Sequence, residues 1–168
     1  MADDRCHPHQ GASACGGRQR GNQSLARTKG GLNTKLHLAA DALGLPVKII
    51  VTDGNVADCS QAEALIEGLP SACLMADRAY DTNALLDLLE RRKTQAVIPP
   101  KRNRKVHRAY DEYLYKLRHI IENTFLKFKA WRSIATRYAK TTAPLQAECQ
   151  LAAIMLWLRK FKDTVYAA

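Results

Sequence analysis

Apolar residues recur along the chain with two periods, and the shorter period predicts β-strands. Alternating apolar positions or short apolar runs predict strands at residues 34–40, 47–52, 72–76 and 95–98. Gly44, Leu45 and Pro46 form a turn signal between the first two. These two strands are therefore predicted to pair as an antiparallel hairpin.

Apolar residues at helical spacing alternate with these strands. They predict helices over residues 58–67, 82–92 and 110–131 and a last helix opened by Thr142. The order is hairpin, helix, strand, helix, strand, long helix. Such a mixed order indicates an α/β sandwich around a mostly parallel sheet with one antiparallel hairpin.

Asp77 directly follows the predicted strand at residues 72–76. Functional groups in open α/β sheets gather at the carboxyl ends of strands, so this position is a candidate site. An aspartate after a strand is also a common cap of the next turn or helix. Asp77 taken alone leaves both interpretations open.

The predicted long helix holds one acidic residue in a basic setting, since Glu122 is the only carboxylate between Tyr113 and Ala147. At about 100° per residue, four polar residues fall within roughly 60° of one another: Tyr115, Arg118, Glu122 and Lys129. This strip can present a carboxylate to a metal cation beside groups that meet phosphate oxygens. It can equally be an exposed salt-bridge network, and geometry alone leaves both interpretations open.

Composition narrows the class of partner. The chain has 168 residues, 46% of them hydrophobic, and a net charge of +10, which favours an anionic partner such as nucleic acid. A membrane surface or an acidic protein remains an alternative, although no apolar run approaches the roughly 20 residues of a membrane span. The five cysteines are odd in number and scattered, which predicts reduced thiols and a cytoplasmic location.

Positive charge is concentrated in two segments. Residues 5–40 contain no acidic residue and are rich in Gly, Ser, Gln and Asn, so residues 1–33 are predicted to be a basic, flexible arm. The second cluster precedes the long helix and consists of Lys101, Arg102, Arg104, Lys105 and Arg108. Each cluster can hold a nucleic-acid backbone through salt-sensitive contacts, or be a solvated loop.

Four residues near the start have side chains that can bind metals: Cys6, His7, His9 and Cys15. No second Cys or His pair follows at zinc-finger spacing. A zinc site is therefore not expected here.

The polar residues of the long helix have two, three and six residues between them: Tyr115, Arg118, Glu122 and Lys129. Four further runs accompany this spacing, at residues 27–35, 76–81, 97–100 and 135–138. Together these motifs resemble the DDE transposases of bacterial insertion sequences, specifically the insertion-sequence-five group. The resemblance covers nearly all of residues 17–158.

The resemblance implies a ribonuclease-H-like α/β domain, placed at residues 34–162, with a mixed sheet flanked by helices. In this family three carboxylates hold two divalent cations, Mg²⁺ or Mn²⁺. Carried over by position, Asp77 is the second aspartate and Glu122 the glutamate. Arg118 and Lys129 would neutralise DNA phosphates and Tyr115 would position the strand. From the basic cluster, Lys101, Arg102, Arg104 and Lys105 are expected to contact DNA as well.

The chain departs from the family pattern at its amino terminus. The first aspartate of the family closes an apolar strand, which this sequence lacks in complete form, so Asp3 or Asp4 is the candidate third ligand. A helical DNA-recognition domain is not evident either. The family often divides its gene between two overlapping frames, so the chain is expected to be a downstream product or a truncated copy. An upstream-frame product would then supply the first aspartate and the recognition helices.

The expected function is that of an insertion-sequence transposase, which cuts double-stranded DNA at the element ends and joins it to target DNA. A homo-multimer on DNA is implied because two ends must be paired. The alternative is a catalytically incomplete product that only binds DNA or regulates a full transposase. A basic RNA-binding protein is a third hypothesis, but no RNA-binding motif is visible.

Overall fold

The structure is a computed structural model that describes residues 3–6, 23–28, 31–105 and 107–166. Of the early residues with metal-binding side chains, His7, His9 and Cys15 lie outside these ranges, as does most of the predicted arm.

The larger sheet is antiparallel and is centred on β3 (Gly31–Ala40). Its other described strands are β1 (Asp3–Cys6), β2 (Ala26–Thr28) and β4 (Pro46–Asp53). The chain returns from β3 to β4 through a tight turn. There the Asp41 carboxylate accepts hydrogen bonds from the backbone N–H groups of Leu43 and Leu45 at 2.9 and 2.8 Å. The predicted hairpin is confirmed.

The smaller sheet is a parallel pair, β5 (Cys73–Met75) and β6 (Gln95–Val97). These strands are connected by α2 (Asn83–Arg91), whose first turn is capped by the Thr82 hydroxyl. The prediction of a mostly parallel sheet is wrong for the described residues, because β1, β2 and β4 all run antiparallel to β3. Tight hairpin turns permit only antiparallel pairing, whereas a parallel pair needs a crossover such as α2. The α/β class itself is confirmed.

Two segments of the predicted arm form strands. Both β1 and β2 pair with β3, so the expected lack of a complete first strand is not confirmed. Ahead of β2, the buried Ser24 carbonyl accepts hydrogen bonds from Thr34 Oγ1 at 2.7 Å and from Arg137 Nη1 at 3.0 Å. The Arg137 side chain is itself buried and requires such acceptors. The division at residue 34 into an arm and a domain stays a prediction.

The predicted long helix is two helices, α3 (Glu112–Lys116) and α4 (His119–Lys129). At the break the backbone N–H groups of Leu117 and Arg118 donate to carbonyls three residues back, which is the tighter 3₁₀ pattern. His119 Nδ1 lies 2.8 Å from the Lys116 carbonyl oxygen, a group that an unbroken helix would use internally. The prediction of one continuous helix is therefore wrong at this turn, where a side chain competes for the backbone.

The remaining α-helices of the described chain are α1 (Ala62–Ile66), α5 (Arg132–Ala135) and α6 (Thr142–Tyr166). Helices cover both faces of the β3–β4 hairpin. On one face α4 and α6 enclose Leu38, Phe125 and Leu145, and on the other α1 and α2 enclose Leu65 and Leu89. None of the helices in the described ranges combines the length and the apolar content that a membrane span requires.

A buried hydrogen bond fixes α4 to the β3–β4 turn. Thr124 Oγ1 donates to the Gly44 carbonyl at 2.7 Å. Gly44 has a φ of +75°, and a Cβ at this position would lie 2.7 Å from a methyl carbon of Ile120. Only glycine allows this approach without strain. The contact holds in place the helix that carries Glu122.

Candidate active site

Asp77 lies just beyond the end of β5, at the start of the 3₁₀ turn Arg78–Tyr80. Its backbone carbonyl accepts a hydrogen bond from the Tyr80 N–H at 2.9 Å. Its side chain makes no capping hydrogen bond to this turn. The cap interpretation of Asp77 is therefore not supported, and the carboxylate is directed to other partners.

The Arg118 guanidinium joins the two carboxylates that the motif singled out. Its Nη1 lies 2.8 Å from Asp77 Oδ1 and its Nη2 lies 2.8 Å from Glu122 Oε1. The contact with Glu122 is the i, i+4 pair that an ordinary helix surface would show. Asp77, in contrast, lies on a different element, beyond the end of β5. A salt-bridge network along one helix therefore explains the contact with Glu122 but not the contact with Asp77.

Tyr115 completes the group from α3. Its hydroxyl donates to Asp77 Oδ1 at 3.3 Å, and its ring lies 5.7 Å from the Arg118 guanidinium carbon. Burial raises the pKa of the Tyr115 phenol, and the nearby Asp77 carboxylate raises it further. The phenol therefore stays protonated at neutral pH and can act as a donor.

Both carboxylates remain accessible, with 33% of the Asp77 side chain and 47% of the Glu122 side chain exposed. In the part of the chain that is described, their contacts are made through Oδ1 and Oε1. The second oxygen of each is thus available to a ligand. Among the described residues, no group of three or more His, Cys, Asp or Glu side chains is arranged to hold a metal ion. For the candidate third ligands, the backbone of Asp3 pairs with His37 and that of Asp4 with Leu36.

Lys129 lies at the end of α4 with an exposed side chain. It is seven residues beyond Glu122, which is about 10 Å along the helix axis. The structure therefore gathers three of the four motif residues and leaves the lysine on the neighbouring surface.

The basic cluster that follows β6 is held in place by Asp81, which the sequence analysis did not single out. The buried Asp81 carboxylate accepts hydrogen bonds from the Lys101 backbone N–H at 2.8 Å and from Arg104 Nε at 2.6 Å. Arg108 Nη1 lies 3.9 Å from the other carboxylate oxygen. Arg104 is thus engaged within the protein, whereas Arg102 and Lys105 are exposed. The one sequence signal for Asp81 is its place at the end of the run 76–81, which belongs to the family resemblance.

A second polar cluster lies on β3 and its neighbours. Lys35 Nζ lies 2.8 Å from Asp58 Oδ1, and His37 Nε2 lies 2.7 Å from Thr52 Oγ1. Burial lowers the pKa of His37. The Asp58 carboxylate raises this pKa and the Lys35 ammonium lowers it further, and the net shift is downward, so the ring is neutral at pH 7. Asp58 belongs to a 3₁₀ turn that contacts the turn after Asp77. Strand alternation places Lys35 and His37 on one face, a signal that the sequence analysis missed.

Comparisons with known proteins agree with the motifs. The family model described as "Transposase DDE domain" matches residues 4–158, a range that includes both carboxylates of the site. A protein of Brucella ovis named "Putative transposase for insertion sequence element IS6501" is 40% identical over 130 residues, or 76% of this chain and 100% of that protein. No solved structure matches the chain. The resemblance inferred from the sequence is confirmed.

We predict that Asp81→Asn destabilises the fold by about 1–3 kcal/mol at pH 7, because Arg104 and Arg108 lose their buried counter-charge. Burial alone would raise the pKa of Asp81, but the hydrogen bonds and charges around it bring the pKa below its usual value. A lowered folded-state pKa gives stability that is present above the unfolded-state pKa of about 4 and is lost as pH falls through the folded-state value. Urea unfolding at several pH values measures the free energy of unfolding of both proteins.

The difference in the free energy of unfolding between wild type and Asp81→Asn should accordingly be largest near pH 7. It should shrink as the pH falls below about 4. Asp87→Asn is the matched control, because Asp87 is exposed on α2. Its effect should stay within about 0.5 kcal/mol. If this difference in the free energy of unfolding stayed constant down to pH 3, it would contradict the assigned ion pairing.

Proposed function

The chain belongs to the DDE-type transposases of insertion sequences, and on this basis we propose that Asp77 and Glu122 are two of the acidic residues at which it cuts and joins DNA. The observation that carries the proposal is the Arg118 guanidinium, held at 2.8 Å by both carboxylates. Two acids from separate elements are thereby held near each other, and the side chains of both remain accessible to solvent.

The donor set fits a divalent metal ion in part. DDE transposase domains use divalent metal ions in general. Carboxylate oxygens are the hard ligands that Mg²⁺ or Mn²⁺ prefers, and each acid keeps one oxygen available as described above. The third ligand is not found among the described side chains. In this proposal Asp3 or Asp4 supplies it, from the strand that pairs with β3.

When bound, such ions activate the attacking hydroxyl and stabilise the leaving oxygen in phosphoryl transfer. The protein's own residues have other tasks. Arg118 offsets the mutual repulsion of two neighbouring carboxylates and offers donors to a phosphate. The Tyr115 hydroxyl donates to Asp77 Oδ1, which orients the carboxylate and leaves Oδ2 for coordination.

DNA would lie across the basic surface that surrounds this centre. Arg102 and Lys105 are exposed on the loop that Asp81 anchors, with Lys101 beside them, and Lys129 is exposed on α4. With the net charge of +10, these groups suit salt-dependent contacts with phosphates at element ends and target DNA. Arg104, also predicted to contact DNA, acts in this proposal by shaping the loop through Asp81.

The ribonuclease-H-like topology is part of the same proposal. The order of β1, β3, β4, β5 and β6 along the chain, with helices between and after them, is compatible with it. A DNA-binding product without catalysis is the weaker candidate, because the two carboxylates are brought together and remain accessible to solvent.

We predict that Glu122→Gln lowers Mg²⁺-dependent cleavage of DNA that carries the element ends by at least about 100-fold. An amide retains the shape of the carboxylate but is a poor metal ligand. Cleavage and DNA affinity are measured on the full chain, and affinity should change by less than about threefold. Glu112→Gln, on the exposed first turn of α3, is the matched control and should retain activity.

The proposal fails if cleavage by the Glu122→Gln variant equals that of the wild type. It also fails if the wild-type chain binds end DNA but shows no metal-dependent cleavage. In the second case the non-catalytic alternative would hold.

We predict that Lys129→Ala weakens DNA binding and reduces the slope of log K against log salt by about 1, as the loss of one phosphate contact should. Lys127→Ala removes the same charge from the same helix at an exposed position about 140° from Glu122, so its slope should be unchanged. Fluorescence anisotropy across a salt series measures both. A slope for Lys129→Ala equal to that of the wild type would show that Lys129 does not contact phosphate.

A further inference from the structure

Helix α6 has two apolar faces, and the described core packs against one of them. Leu145, Cys149, Ala152 and Leu156 face the core and are buried. The opposite side of the helix also carries large apolar residues. Leu151, Ile154, Leu158 and Phe161 are each between 52% and 59% exposed, and Met155 beside them is 40% exposed.

The exposed residues follow a heptad repeat. Its first core position is occupied by Pro144, Leu151 and Leu158, and its fourth by Ala147, Ile154 and Phe161. All six are exposed. The buried residues occupy the two heptad positions on the opposite side of the helix. The exposed stripe therefore points away from the body of the protein, where a partner helix can approach it.

We propose that this stripe pairs with α6 of a second copy of the chain, antiparallel and around a two-fold axis level with residue 156. In that register Leu151 meets Phe161 of the second copy, and Ile154 meets Leu158 of the second copy. Each contact occurs twice because a two-fold interface is self-complementary. In this register each residue at the first core position faces a residue at the fourth core position of the other helix, as in antiparallel coiled coils.

Charge complementarity supports this register. Glu148 and Lys162 occupy the same flanking heptad position, one heptad before and one after Met155. In the antiparallel register Glu148 of one copy lies beside Lys162 of the other, twice per dimer. Within one chain these residues are about 21 Å apart and do not meet. A parallel pair would instead place Glu148 beside Ala143 and gain no ion pair.

The last turns of α6 add a second argument. This part of the helix, residues 158–164, is exposed throughout, and the Phe161 ring stacks on Trp157 of the same helix with ring centroids 5.9 Å apart. Leu158 and Phe161 lie in it and lose apolar contact with water only if another surface covers them. A second α6 covers both residues.

The size of the stripe sets the expected affinity. The five large apolar side chains of the stripe each expose about half of their surface, which gives roughly 400 Å² of exposed apolar surface per copy. A dimer would bury about 800 Å² in total. Flanking side chains bring the interface close to the lower bound of about 1,000 Å² for specific association. A micromolar dimer in rapid exchange is therefore expected.

Sedimentation velocity of the full chain from about 1 to 200 µM tests the proposal without DNA. Wild type should shift from monomer to dimer with concentration. Leu158→Arg should weaken the dimer at least tenfold, because it puts a charge in the centre of the interface. Leu126→Arg, a change at a residue that is 63% exposed on α4, is the matched control and should dimerise like wild type.

A charge exchange tests the register. Glu148→Lys and Lys162→Glu should each weaken the dimer by about threefold to tenfold, because each places like charges side by side. The double variant restores opposite charges only across an antiparallel pair and should regain wild-type affinity. A parallel pair would gain nothing from the second change.

Three outcomes overturn the proposal. One is a wild-type chain that stays monomeric throughout. Another is a dimer that Leu158→Arg leaves unchanged, which would place the interface elsewhere. The third is a monomer that Leu158→Arg destabilises towards urea, which would show that another segment of the same chain covers the stripe. Failure here leaves the assignment of Asp77 and Glu122 intact, because the test uses neither DNA nor metal.

Discussion

The arrangement of the site depends on one interaction, the contact of the Arg118 guanidinium with two carboxylates. Asp77 and Glu122 come from different elements, and two negative charges at short range repel each other. Arg118 lies 2.8 Å from each and offsets that repulsion. The protein therefore keeps two acids together at a surface that solvent can reach. We propose that this pair of acids is where the transposase cleaves DNA strands.

Other features of the fold position these three residues. The break between α3 and α4 lies at Arg118, so its side chain meets Asp77 and Glu122 from a turn rather than from a regular helix. The hydrogen bond from Thr124 to Gly44 fixes α4 against the hairpin. Asp81, four residues after Asp77, holds the basic loop beside the site. A carboxylate that binds arginines inside the protein thus shapes the surface on which arginines and lysines are proposed to meet DNA.

Much of this arrangement follows from the sequence, and the failures have physical causes. Apolar periodicity located the hairpin and β5, and it placed Asp77 at a strand end. It did not reveal the break at Leu117 and Arg118, because a competing side-chain hydrogen bond leaves no trace in apolar spacing. It also did not reveal Asp81, since a buried aspartate and an exposed one look alike without the partners that fold around them. The direction of strand pairing depends on connections that periodicity does not report.

The central claim is that Asp77 and Glu122 act on one shared ligand, and Mn²⁺ binding tests it most directly. Electron paramagnetic resonance can titrate Mn²⁺ into the full chain, Asp77→Asn, Glu122→Gln and the double variant, with the double variant as the background. The account predicts that each single substitution abolishes the same binding event, so that all three variants behave alike. Single variants that each retain a separate binding event, or a wild type no different from the double variant, would contradict it.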